Sequence, residues 1–419
     1  MNAPLMLQEP HGQQHHVNAY ADNVLIEACG PILRPQDVAK RLLHSPPPPS
    51  AESIELPLHV LEHQMAGLWR LHVPTEAGIA LTHSIDVLIR QGYVHRNPAR
   101  ATTWRRIYTQ DSADEHGPVQ LAACVVGLSG AGKTSALERA LSLKPQVVVH
   151  EQFPHLKGPV RQLLWLKVDV PGSGKIVDLV ESLARASDAA LGTNYTVKVL
   201  SGRSRRGAAM AHEWLAQMAC HFPGLIVLDE LQNLFKIATK AARQRAERSA
   251  DRPLLRIVDD EALKFILTLT NTSKIPFVGC GTPDGIAAFG TRMSTAQRLL
   301  TGGYHRIDPE PSSTSGFFRR RLLGCLSEYQ WLPEKAQMTA ELADQIYRLT
   351  AGVPRICVAL WIFAQRRAIA TKARCLSVEH LRHAAINDLG PLQPAVAALL
   401  SQEPDRLAQY EDLLPRGLG

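Results

Sequence analysis

The sequence predicts an α/β fold: a parallel sheet built around a phosphate-binding loop, with mostly helical segments before and after it in the chain. Three observations predict it. Between residues 119 and 310, apolar runs of strand length alternate with stretches of helical period. The first of those runs leads into the glycine-rich stretch Gly127-Leu128-Ser129-Gly130-Ala131-Gly132-Lys133-Thr134. The residues on either side of this region carry helical patterns. Strands that alternate with helices form parallel sheets, because each crossover lays a helix over the sheet.

Taken in order, residues 1–110 read as a mostly helical extension. The four prolines Pro46 to Pro49 cannot be helical and form a stiff extended spacer. Stretches 56–71 and 82–91 carry apolar residues at helical spacing, and 92–98 reads as a turn bracketed by glycine and proline. In the nucleotide-binding unit, 111–310, strands are expected at 119–126, 163–168, 225–228, 276–280 and 303–307. Helices fit 133–143, 175–191, 208–220 and 259–270. Residues 311–390 are all helical in pattern, at 314–329, 338–349, 353–371 and 377–387, with Gly352 closing one helix and Pro354 opening the next. Residues 391–419 are partly acidic and are expected to be a partner-docking tail.

Composition narrows the class. The chain has 419 residues, 45% hydrophobic and 20% charged, which suits a soluble protein of two or three units with a sizeable core. A formal charge of +7 favours contact with a polyanion without demanding it. The seven cysteines are scattered, none in a C-x-x-C pair, and read as core thiols in a reducing compartment. No apolar run approaches the roughly 20 residues of a membrane span, and the polar, His-rich start (His11, His15, His16) lacks the apolar core of a signal peptide. A cytoplasmic location follows as the expectation. Those histidines have no acid or thiol at ligand spacing and read as a polar tail.

Residues 127–134 match G-x-x-x-x-G-K-[ST] in full. Glycines let backbone N–H groups wrap phosphate oxygens, and the following helix aims its N-terminal amides at the same anion. The expected ATP contacts are Gly127, Ser129, Gly130, Ala131, Gly132, Lys133, Thr134 and Ser135. Lys133 would reach the β- and γ-phosphates, and the Thr134 hydroxyl would ligate Mg²⁺. The run Leu225-Ile226-Val227-Leu228 ends in Asp229-Glu230. At the carboxyl end of a parallel strand the pair faces the nucleotide crevice, where Asp229 would complete the Mg²⁺ site and Glu230 would polarise the attacking water. A small-molecule kinase has no need of such a glutamate.

By analogy with AAA+ ATPases, three more residues gain roles. Thr282, at the end of the strand 276–280, would sense the γ-phosphate. Arg298, favoured over Arg292, would reach into a neighbouring subunit's ATP site. Arg355, on the first turn after Gly352-Val353-Pro354, would fold back on the phosphates as a second sensor.

Several stretches together resemble the TnsC/TniB family, AAA+ regulators of transposons that use a DDE transposase. They are Tyr20-Ala21-Asp22-Asn23 with Pro31, the run Arg90-Gln91-Gly92-Tyr93-Val94-His95-Arg96-Asn97-Pro98, and the phosphate loop. Leu166-Lys167-Val168-Asp169-Val170-Pro171 follows, with Gly172, Ser173 and Lys175, then Leu191-Gly192-Thr193-Asn194-Tyr195. Asp229-Glu230-Leu231-Gln232-Asn233, Gly281-Thr282-Pro283 and Tyr410-Glu411-Asp412-Leu413 complete the set. The sequence departs in having Leu231 where the family usually has Ile. It has Gln297-Arg298 where the family pairs two arginines, and a longer basic insert at 236–256.

The resemblance implies an AAA+ P-loop ATPase with a five-stranded parallel core, an N-terminal helical extension and a C-terminal helical lid. It implies ATP and Mg²⁺ as ligands. It implies assembly of about six or seven subunits per turn, as a ring or helical filament, on double-stranded DNA. A target selector of the TniQ/TnsD type and transposase subunits of the TnsA/TnsB type would be the partners. Hydrolysis would disassemble the complex. Lysines and arginines touching phosphates would carry DNA binding: Lys175, Arg203 and Arg205 with Arg206, and the insert around Lys236, Lys240, Arg243, Arg245 and Arg248. An AAA+ helicase loader or replication initiator ATPase is the alternative. A P-loop kinase and a scaffold that binds ATP without turnover are further rivals.

Overall fold

A computed structural model describes residues 17–109, 121–201, 207–236, 256–257, 260–283, 299–300 and 302–407. Strand β1 (Ala122–Val126) is buried along its whole length, which explains its unbroken apolar sequence. β2 (Val147–His150) and β3 (Val160–Leu163) form an antiparallel hairpin beside the sheet. β4 (Leu166–Asp169) and β5 (Ile226–Asp229) rejoin the sheet, and β6 (Phe235–Lys236) pairs antiparallel with β7 (Arg256–Ile257). β8 (Phe277–Gly281) and β9 (Tyr304–Arg306) complete a five-stranded sheet in the order β4-β5-β8-β1-β9. Every neighbouring pair in it is parallel.

The expected strand at 163–168 is in fact two. Leu163 ends the hairpin strand and Leu166 begins β4. The apolar run is continuous because Leu163, Leu164 and Leu166 are all buried as the chain passes from hairpin to sheet. The hairpin itself was not foreseen.

Alternate residues of β1 serve two cores. Ala122, Cys124 and Val126 pack with the helices Ile176–Leu191, Gly207–Met218 and Asp260–Asn271. Ala123 and Val125 face the opposite core, with the helices Glu76–Val94 and Lys133–Ser142. A strand with both faces covered has no polar side to show.

The helix Glu76–Val94 corrects the reading of 92–98 as a turn. It runs through Gly92 and ends at Val94. Gly92 is there for close packing: a Cβ at that position would lie 2.6 Å from Pro276 Cδ. The following residues tie the extension to the sheet. Tyr93 Oη donates to the Phe222 carbonyl at 2.9 Å and Arg96 Nη1 to that of Pro223 at 2.8 Å. Asn23 Nδ2 donates to the Tyr93 carbonyl at 2.9 Å, and Asn97 Nδ2 to that of Asp22 at 3.3 Å. The Arg96 guanidinium is buried over the Tyr93 ring, and burial pulls its pKa down to about 10.

The C-terminal helices, expected to be a lid, have their own core, centred on Phe318, Leu360 and Trp361. Its predicted first helix is instead a wide π turn, Phe317–Leu322, followed by Leu323–Ser327. The helices Ala340–Thr350, Pro354–Ala370 and Val378–Asn387 follow the expected pattern. The tail begins as a helix, Gln393–Ser401, that buries Val396 and Ala398 and packs against Ala340–Thr350. The extension contributes to this core as well: Leu61, Met65 and Leu68 lie in it, and Trp331 Nε1 donates to Gln64 Oε1 at 3.1 Å. The proline run lies outside any helix or strand, and the Pro46 carbonyl accepts from Tyr329 Oη.

The stretch Leu191-Gly192-Thr193-Asn194-Tyr195 shapes the turn between two helices. Gly192, at φ 65°, ends the helix Ile176–Leu191 in the left-handed conformation that glycine favours. The Asp188 carboxylate then accepts from Thr193 Oγ1 and from the N–H groups of Tyr195 and Thr196, at 2.6–2.8 Å, and starts the next helix. Burial works against that charge, but the donors hold its pKa below the usual carboxylate value. Downstream, Gly207 packs directly on Ile176: a Cβ there would lie 1.9 Å from Ile176 Cγ2. Gly207→Ala is therefore expected to cost about 1–3 kcal/mol by overpacking, measured by chemical denaturation. The pair Gly207→Ala with Ile176→Val should recover part of that loss.

Candidate functional site

The carboxyl ends of β1, β5 and β8 meet the lid and the extension in a cleft of about 510 Å³. β8 lies between β1 and β5, so Thr282, just past its end, stands between the phosphate loop and Asp229-Glu230.

The phosphate loop has the required backbone. Gly130 and Gly132 take φ of 77° and 102°, and Lys133 starts the helix. Gly127 is forced by packing, since a Cβ would lie 2.0 Å from the Ile307 carbonyl oxygen. Ser129, Gly130, Ala131, Gly132, Lys133, Thr134 and Ser135 all line the cleft. Lys133 Nζ donates to the Leu128 carbonyl at 2.9 Å.

Thr134 Oγ1 donates to Asp229 Oδ2 at 3.0 Å, joining the loop to β5. Asp229 is only 3% exposed, and its other oxygen accepts from the Glu230 N–H at 2.9 Å. A hydroxyl beside a buried carboxylate is a set of hard oxygen donors, which suits Mg²⁺ completed by phosphate oxygens. Among the described residues there is no group of three or more His, Cys, Asp or Glu placed to cage a metal alone. Such a Mg²⁺ site needs none, because one or two carboxylates suffice beside substrate phosphates.

Glu230 sits at φ 54°, a conformation rare outside glycine, and its side chain is exposed toward the cleft. Thr282 is 8% exposed, and its N–H donates to Gln232 Oε1 at 3.3 Å. Arg355 lines the cleft from the first turn of Pro354–Ala370. A Cβ on Gly130 would lie 3.3 Å from Val353 Cγ1 and 3.8 Å from Arg355 Cβ, so the lid touches the phosphate loop. Arg298 and Arg292 lie outside the described residues, as do Arg203, Arg205 and the insert from Lys240 to Arg248. Lys175 stands apart from the cleft, exposed at the start of the helix Ile176–Leu191.

Sequence reasoning missed three contributions. The extension supplies Trp69, Leu71, His72, Val73 and Thr75 to the cleft, which Phe317, Leu322 and Val358 of the C-terminal helices also line. These apolar side chains suit a flat heterocycle, as the loop suits phosphates. No local signal marks Trp69, which lies far from the loop in sequence. Lys167 on β4 bridges Glu138, Asp169 and Asp229 at 3.2–3.4 Å. Burial opposes its charge, but the three carboxylates, Asp229 foremost, outweigh it and raise its pKa. The alternating Lys-Val-Asp of β4 was the available signal. The third is Gln232, quoted in the family pattern without a role.

Lys133→Ala is expected to weaken ATP binding about ten- to a hundredfold, the worth of one charge-assisted contact, read by titration calorimetry. His72 is held neutral, with burial and then Arg139 pulling its pKa from 6.5 to about 4. The unfolded chain takes up that proton first as pH falls. The stabilisation is complete above pH 6.5 and fades toward pH 4. His72→Gln should flatten melting temperature against pH in that window.

Residues 119–288 match the model of a family described as AAA domain. No curated protein matches the chain. Similar solved structures include the Aeropyrum pernix ORC2 protein as ADPNP-ADP complexes, with 12% identity and a TM-score of 0.42 over 73% of this chain and 67% of that one. The ADP form of that protein has 13% identity and a TM-score of 0.40 over 68% of this chain and 67% of that one. Neither likeness bears on activity. The matched span holds the phosphate loop, the acidic end of β5 and four of the five parallel strands.

Proposed function

We propose that the chain is an AAA+ ATPase that assembles on duplex DNA and licenses a transposase. The observation that carries the ATPase reading is the Thr134–Asp229 hydrogen bond, with Glu230 and Thr282 on the same cleft wall. Lys133 and the loop amides hold the phosphates of ATP. Thr134 and Asp229 would hold Mg²⁺, which neutralises developing phosphate charge when bound. Glu230 orients the attacking water and takes its proton as the bond from oxygen to the γ-phosphorus forms and that to the β–γ bridging oxygen breaks. ADP and phosphate leave. Arg355 steadies the γ-phosphate from the lid, and Arg298 completes a neighbour's site.

The DNA reading rests on charge placement and on the resemblance to TnsC/TniB proteins. Lys175 is exposed beside Ile176, the residue on which Gly207 packs. Arg203, Arg205 and Arg206 precede Gly207 in sequence and lie outside the described residues. Such a cluster favours phosphates over base edges. Among the described residues no single helix is long and apolar enough to cross a membrane. The transposase and target-selector partners come from the resemblance alone.

Two outcomes are expected. Glu230→Gln should keep ATP binding and slow turnover by about a hundredfold or more, leaving ATP-dependent assemblies that electron microscopy shows persisting on duplex DNA. Turnover at the native rate would remove Glu230 from the mechanism. Lys175→Glu should weaken DNA binding equally on unrelated sequences and lower the salt slope by about one, read by fluorescence anisotropy. A strong preference for one short sequence would favour an initiator. Stimulation of a helicase, with none of a transposase, would favour a loader.

A further inference from the structure

We propose that Gln232 is a positioning residue for hydrolysis: its side-chain amide clamps the Glu230 carboxylate to the strand end that carries Thr282. The proposal rests on the reading of Glu230 as the residue that activates water.

The two ends of the amide are engaged differently. Nε2 donates to Glu230 Oε2, and Oε1 accepts from the Thr282 N–H at 3.3 Å. A carboxamide offers a donor and an acceptor on one rigid plane, so it bridges these groups where other side chains fail. Glutamate at this position would set a second negative charge against Glu230. Leucine would leave the Thr282 N–H without its acceptor.

The turn that carries the amide is itself fixed. The Asn233 N–H donates to the Glu230 carbonyl at 3.0 Å, and Asn233 Nδ2 donates to the Val170 carbonyl at 2.8 Å. Leu231 and Leu234 on either side are buried. On the strand side Gly281 leaves the room required, since a Cβ there would lie 3.0 Å from Gln232 Oε1. The Glu230 side chain, by contrast, is exposed. An exposed carboxylate samples several rotamers, and a base that must meet a water in line with the γ-phosphate loses rate when it does. The amide confines Glu230 to the side of the cleft where Thr282 stands. The effect belongs in kcat and not in nucleotide affinity.

The test is a double-mutant cycle on steady-state ATPase of the full chain, with ATP affinity measured alongside. Gln232→Leu should lower kcat by about 10- to 100-fold with ATP affinity within about twofold of the parent. In a Glu230→Gln background the same substitution should change the residual rate by less than about twofold. Gln232→Glu should match Gln232→Leu, and it carries the test if the leucine variant does not fold. An unchanged kcat in Gln232→Leu, beside a Glu230→Gln variant that has lost turnover, overturns the clamp alone. Equal losses in both backgrounds, or a parallel loss of ATP binding, assign Gln232 a merely structural part and also overturn it. Native turnover in Glu230→Gln overturns the reading of Glu230 and the clamp with it.

Discussion

The hydrogen bond from Thr134 to Asp229 organises the centre of this molecule. It joins the first turn of the helix after the phosphate loop to the end of a strand two positions away in the sheet. For those groups to meet, β8 must lie between β1 and β5 with its end in register. The pairings Val126 with Gly281 and Leu228 with Gly279 provide that register. Burying Asp229 carries a desolvation cost, which the Thr134 hydroxyl, the Glu230 N–H and the Lys167 ammonium offset. Lys167 in turn is shared with Asp169 and Glu138, so the carboxylate is held in a charge network and not by one partner.

The phosphate half of the cleft was legible in the sequence and the other half was not. The loop, Asp229, Glu230 and Thr282 stand at ends of strands of one sheet, and short motifs mark strand ends directly. Arg355 was legible because glycine and proline punctuate the lid just before it. Trp69, His72 and Val73 reach the cleft through tertiary packing, for which the extension carries no local pattern. Gly92 was misread for a related reason. A glycine near the end of a helical pattern signals a break, yet here it answers the approach of Pro276. The run 163–168 shows the limit of reading apolar stretches, since burial in two neighbouring elements looks like one strand.

The stretches of the family pattern divide by what they do in the structure. Those around Arg96 and Gly192 spend their polar groups on backbone carbonyls and helix ends. They hold the extension against the sheet and turn the chain between two helices. The stretch from Asp229 to Asn233 is different, because its polar groups face the cleft or brace those that do. A sequence pattern alone does not separate scaffold from chemistry; the destinations of the hydrogen bonds do.

The extension straddles two bodies. Residues around Leu61, Met65 and Leu68 are built into the lid core, while the helix Glu76–Val94 is built into the sheet. Lid and sheet are thus linked twice, through 71–75 and again through 308–316. Both links border the cleft: Leu71, His72, Val73 and Thr75 wall it on one side, and Ile307, at the start of the second link, walls it on another. The two connections between the C-terminal helices and the sheet and the wall of the cleft therefore share residues, so the path of the chain between the two cores also sets the shape of the cleft.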